Sequence, residues 1–277
     1  MSAGAKSPAP LAGHKLTIAY AGTGYFGWQR QAGPLTIQEE LEKVIARIWR
    51  KPISIEGSGR TDAGVHAVGQ VAGFTAPRKL PADVLQRALN NHLPLPIRVT
   101  KVEFLEPSFH ARFDVAAKTY EYRIDRSTFS DPFLTDRAWH VPMPLDLAKM
   151  EAAAALLRGT HDFAALASNA GYARTTTVRT LSALELKARG PLLAVRVTAD
   201  GFLYHMVRNI VGALVRVGRG RLSVEEFQSI LAARQRIHAP ASAPAGGLYL
   251  MKVIYHPKAV RLERAKNRRP VPDLEDE

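Results

Sequence analysis

The sequence predicts an α+β fold built as two successive halves. Strand-like and helix-like periodicities come in two series, the pattern breaks between them near residues 106–115, and 277 residues at 46% hydrophobic composition suffice to bury a sizeable core. Residues 1–13 are small, Pro-bearing and patternless, the composition of a disordered arm. Apolar alternation over Lys15–Tyr20 predicts a strand, and Gly22, Gly24 and Gly27 around Tyr25, Phe26 and Trp28 mark a turn. Thr36 and Glu39 fit a capping box, after which Ile37, Leu41, Val44, Ile45 and Ile48 form one helical stripe. A strand at Ile53–Ile55 leads into a glycine-rich segment. Gln70–Phe74 then resumes an extended pattern, Pro81 opens a short helix through Val84, Leu85, Ala88 and Leu89, and Ile97–Leu105 is a further strand. The second series reads strand Tyr120–Asp125, helix Leu147–Leu157, strands Leu181–Lys187 and Leu193–Thr198, helices His205–Val217 and Val224–Ala233, and strand Leu248–Tyr255. The expected divisions are an arm at 1–13, halves at 14–108 and 109–256, and a tail at 257–277 that is basic and then acidic, a solvated appendage.

Lys and Arg number 38 against 25 Asp and Glu, and the resulting net charge of +13 points to a polyanionic partner, nucleic acid ahead of a membrane surface. No uninterrupted apolar run approaches the ~20 residues of a span, and the first residues carry no signal-peptide core, so a soluble, cytoplasmic protein is expected. The absence of cysteine excludes disulfides, thiolate metal sites and cysteine nucleophiles. Chemistry is left to Asp, Glu, His, Lys, Ser and Tyr. The histidines are scattered without ligand spacing, and none is given a catalytic role.

The segment from Gly57 to Ala67, GSGRTDAGVHA, exposes whatever side chain it carries, because its glycines permit positive φ and close approach of another backbone or a ligand. Neither a Walker A motif nor a dinucleotide fingerprint fits its spacing. Asp62 and His66 lie four apart, but in a glycine loop that spacing does not set metal-ligand geometry. Two readings of Asp62 stay open: a structural turn or cap in which the carboxylate accepts backbone N–H bonds, and a catalytic acid. The second half bears on the choice. In Met206–Val217, MVRNIVGALVRV, Arg208 and Asn209 interrupt an apolar helix, and a guanidinium left unpaired there costs roughly several kcal/mol. Asp62 is the acid best exposed to meet it, and an arginine partner favours the anionic, nucleophilic form of a carboxylate. Snorkelling or a phosphate contact is the alternative for Arg208. Tyr120 and Tyr122 share one strand face, as ordinary strand aromatics or as a stacking surface for bases.

These motifs, GRTDAGVHA at 59–67, KTYEYRI at 118–124 and GFLYHMVRNIVGALVRVGRG at 201–220, resemble the ordered motifs of the tRNA pseudouridine synthase A family. YFGWQRQ at 25–31, LTIQEELE at 35–42, FHARFD at 109–114, RTTTVRTL at 174–181 and GGLYLMKVIY at 246–255 extend the similarity over roughly residues 14–256. The resemblance implies two similar α+β halves whose antiparallel sheets join into one central sheet flanked by helices. It implies cofactor-free isomerisation of uridine to pseudouridine at positions 38, 39 and 40 of the tRNA anticodon stem-loop by a homodimer; the loop spacing and hydropathy above already predict no metal site and no membrane attachment. Asp62 is implied to be the nucleophile and Arg208 its ion-pair partner. Tyr120 is implied to stack on the target base and assist removal of the C5 proton, Arg60 to help evict the nucleotide, and Leu248 to pack against the flipped base. A non-catalytic RNA-binding protein and a metal-dependent nuclease using Asp62 are the rival readings.

Overall fold

The structure, a computed structural model, describes residues 11–78, 80–169, 171, 175–235 and 241–260. In the first half, strand β1 (Leu11–Tyr20) pairs antiparallel with β3 (His66–Pro77) on one side and β4 (Ile97–Leu105) on the other. Its even-numbered residues from Ala12 to Tyr20 are buried, so the alternation that predicted a strand from Lys15 extends back to Leu11. Leu11–Gly13, read with the arm, are therefore strand, opposite Pro77–Thr75, and residues 1–10 lie outside the described residues.

Helix α1 (Ile37–Trp49) buries Ile37, Leu41, Val44 and Ile45 as its stripe requires. Only half of the expected capping box forms: Thr36 Oγ1 accepts from Glu39 N at 3.4 Å, while the Glu39 carboxylate pairs with Lys43 at 3.2 Å one turn on. The strand expected at Ile53–Ile55 is not there. Side chains of α1 take its ladder bonds instead: Glu42 Oε1 accepts from Ile55 N and Gln38 Nε2 donates to Ile55 O, both at 3.0 Å. Pairing starts only at β2 (Glu56–Gly57), against β3. Helix α2 (Ala82–His92) then covers β4 with Leu85 and Leu89.

The second half contributes β5 (Val115–Asp125), β6 (Trp139–His140), α3 (Leu147–Ala155), β7 (Gly159–Asp162), β8 (Val178–Arg189), β9 (Leu192–Ala199), α4 (Met206–Gly218), α5 (Val224–Ala233) and β10 (Leu248–Tyr255). Ser223 and Glu226 form a complete capping box on α5. β6 and β7 escape the sequence pattern because they are two and four residues long and mostly polar or half-exposed. The strands form one mixed ten-stranded sheet with main order β4-β1-β3-β10-β5-β9-β8-β7. Along that path each half is antiparallel within itself. The halves meet in a short parallel seam between β3 and β10, with Tyr249 opposite His66 and Leu250 opposite Ala67. One apolar core runs through both, from Leu16 and Leu41 to Val195, Ile210 and Leu250. No helix among the described residues is long and apolar enough to cross a membrane.

Candidate active site

The loop between β2 and β3 has little regular structure of its own and is held by its neighbours. Trp28 N donates to Thr61 O at 3.0 Å, Gly64 N donates to Tyr25 O at 3.2 Å, and Thr61 Oγ1 shares a 2.8 Å hydrogen bond with the buried Tyr20 hydroxyl. Gln70 Nε2 donates to Gly59 O at 3.0 Å, and Gln70 Oε1 accepts from Ser58 Oγ at 2.7 Å. Close approach requires Gly27, which has φ +83° and whose missing Cβ would fall on Thr61 O. Within the loop itself only Gly64 adopts positive φ; Gly57 and Gly59 serve instead to let Trp28 and Lys118 pack against the backbone. This scaffold leaves the Asp62 side chain 23% exposed.

The carboxylate is not a backbone cap. Arg208 Nη1 donates to Asp62 Oδ2 at 3.2 Å, and His205 Nε2 lies 3.4 Å from the same oxygen. Oδ1 has no hydrogen-bond partner among the described residues. Arg208 sits in the first turn of α4, a helix otherwise buried along Val207, Ile210, Val211 and Leu214. Its Nε donates to Ala243 O at 2.8 Å, and its own carbonyl accepts from Ala243 N at 3.0 Å, so the guanidinium is aimed from both ends. Helix α4 has no capping side chain and no acid in its first turn, and His205 at its N-cap is left-handed at φ +59°. The anionic complement to this helix end comes from Asp62, across the seam.

Tyr120 and Tyr122 lie on one face of β5 and are both buried. Tyr120 makes an edge contact with Phe202, ring centroids 5.0 Å apart. Burial, and after it the charges of Tyr20 and Asp62, push the Tyr120 phenol up, which keeps it a neutral O–H group. Leu248 opens β10, buried, directly opposite Tyr122, while Leu250 is the residue opposite Tyr120. Arg60 is exposed, and its Nε donates to Gln29 Oε1 at 3.1 Å rather than to any group around Asp62. His66 is structural: its Nδ1 accepts from Gly22 N at 3.0 Å, its Nε2 meets Asp136 O at 2.7 Å, and burial lowers its pKa. No group of three or more His, Asp or Glu side chains suited to a metal ion occurs among the described residues.

Two supports of the site are residues to which the sequence pattern assigned no role. Asn209 is buried and donates to Leu166 O at 2.7 Å while its amide oxygen accepts from Ser242 Oγ, tying the 241–247 loop to α4 beside Arg208. His205 was the other omission. Isolated histidine spacing says nothing about a site assembled from remote segments, and the usable hint was position, three residues before an arginine in an apolar helix.

Residues 16–114 and 153–256 match the family model described as tRNA pseudouridine synthase. A protein named tRNA pseudouridine synthase A from Methylacidiphilum infernorum (isolate V4) is 51% identical over 247 residues, covering 89% of this chain and 97% of that relative. Relatives of the same name from Bacillus pumilus (strain SAFR-032) and Thermoanaerobacter sp. (strain X514) are 43% identical over 243 residues and 41% identical over 240, each covering 87% of this chain and 98% of the relative.

Proposed function

We propose that this chain, which belongs to the tRNA pseudouridine synthase family and is an isomerase acting on tRNA uridine, works at positions 38, 39 and 40 of the anticodon stem-loop with Asp62 as its nucleophile. The observation that carries the reading is the Asp62 carboxylate, part-exposed, with Oδ2 engaged by Arg208 and no partner for Oδ1 among the described residues. In the reaction the N1–C1′ bond breaks and a C5–C1′ bond forms, while C5 loses a proton and N1 gains one. Attack on C6, attack on C1′ and assisted elimination to a glycal all begin from an anionic acid, and a carboxylate oriented through one oxygen presents the other to the nucleotide. A base stacked in a stem is out of reach, so the nucleotide is flipped, at a cost of roughly a few kcal/mol. Stacking on Tyr120, apolar contact with Leu248, a charge from Arg60 and phosphate contacts from the excess of Lys and Arg offset it. Tyr120 contributes its ring and its neutral O–H, since a phenolate is disfavoured at this buried position.

The resemblance also supports a homodimer acting in the cytoplasm, for which light scattering of the free protein expects twice the 30.4 kDa chain mass. The deciding experiment incubates the protein with unmodified tRNA, with no added metal or nucleotide, and maps pseudouridine. The expected product lies at positions 38–40 and is missing with Asp62→Ala. Product elsewhere in the tRNA would sink the positional reading, and undiminished product from Asp62→Ala would sink the nucleophile.

A further inference from the structure

Strand β5 keeps unbroken register with β9 from Lys118 to Asp125, so Lys118, Tyr120 and Tyr122 point to one face in sequence. The outer two reach different loops of the site. Lys118 Nζ donates to Ser58 O at 2.6 Å, four residues ahead of Asp62. Tyr122 Oη donates to Pro244 O at 2.7 Å, one residue beyond the Ala243 that holds Arg208 at both N and O. Each also presses on a glycine. A Cβ on Gly59 would stand 2.5 Å from Lys118 Nζ, and one on Gly247 would stand 2.5 Å from Tyr122 Cζ. Each loop thus packs closely against a side chain of the strand where a larger residue would collide with it, and a hydrogen bond ties it there.

Stability alone does not account for these groups. Burial, followed by the charge of Arg112, lowers the Lys118 ammonium to about 8, the mark of a cation poorly compensated by a single carbonyl. Methionine would fill the same stem without a charge to desolvate. Tyr122 is fully buried, and phenylalanine would pack the same ring.

We propose that Lys118 and Tyr122 are positioning residues, a two-point clamp through which β5 sets where Asp62 stands relative to Arg208, on either side of Tyr120. The clamp spans roughly 13 Å along the strand at ~3.3 Å per residue. It touches no reacting atom, and it rests on the reading of Asp62 and Arg208 as nucleophile and partner.

The test compares full-length Lys118→Met and Tyr122→Phe with wild type and Asp62→Ala, measuring single-turnover pseudouridine formation, tRNA dissociation constant and melting temperature. Each clamp variant is expected to lose between about tenfold and about a hundredfold in rate, because small misplacements of a reacting group cost that much. The tRNA dissociation constant stays unchanged, and Lys118→Met melts at the wild-type temperature or higher, so that rate and stability part company. Rates within about threefold of wild type in both variants, with Asp62→Ala inactive, overturn the clamp and leave the proposed reaction standing. Rate losses that track a lowered melting temperature in both variants overturn it as well. Activity retained by Asp62→Ala removes the reading on which the clamp rests.

Discussion

The loop carrying Asp62 and the helix carrying Arg208 deliver one charge each to the same point, by opposite means. Helix α4 is regular and thirteen residues long, its apolar stripe sets the direction of Arg208, and Ala243 holds that residue through two hydrogen bonds. Residues 58–65 are held by scattered hydrogen bonds, two to the turn around Trp28, two to Gln70 and one each to Tyr20 and Lys118. The helix tolerates the loss of any one contact because its backbone ladder remains. The loop has no such reserve, and its placement is only as good as the weakest of its ties.

Substitutions sharpen this contrast in order of size. Arg208→Ala is expected to lower kcat by about 10²–10³ while tRNA affinity changes little, as expected for a group directed at the nucleophile rather than at phosphate. Weak binding with normal turnover would instead assign Arg208 to the RNA backbone. Next comes Gly27→Ala, whose Cβ falls on Thr61 O at a positive φ. A stability loss of about 1–3 kcal/mol, read by denaturant titration, should accompany a fall in kcat. If kcat holds, the loop does not depend on its contact with the Trp28 turn. Thr61→Val removes the hydrogen bond to Tyr20, for about 1 kcal/mol and a smaller, measurable drop in kcat. On the helical side, Ser223→Ala breaks the α5 capping box and should also cost about 1 kcal/mol, with kcat at the wild-type value. Equal kinetic effects of these last two would erase the distinction between loop and helix.

The same contrast explains what was legible in the sequence. Helix α5 and strands β4 and β10 begin and end where periodicity put them, since each is defined by its own apolar pattern and its own caps or turns. The pairing of Arg208 with Asp62 was legible in part: a cation in an apolar helix calls for an anion, but a snorkelling side chain or a phosphate contact fitted the same pattern. Ile55 was misread because Gln38 and Glu42, polar positions on a helix, took its backbone bonds, a tertiary event with no local trace. Lys118 looked like one more polar residue on an alternating strand, and its contact with Ser58 joins positions sixty residues apart. Nothing in the spacing of Ala243 or Ser242 advertised that they brace Arg208 and Asn209.

The short seam between β3 and β10 has a consequence for how such a chain matures. β10 is the last of the ten strands in chain order, yet it lies in the interior of the sheet, between β3 and β5. His66 must wait for Tyr249, and Ala67 for Leu250, before the two halves share a sheet. Closure across so many intervening residues is slow to nucleate. A growing chain would therefore hold Asp62 in a finished first half for some time without chemical competence, and acquire it in one late step when β10 slots into place. Activity would then report completion of the fold itself: a chain cut short before Leu248 would keep both members of the ion pair and lose the strand that joins β3 to β5 between them.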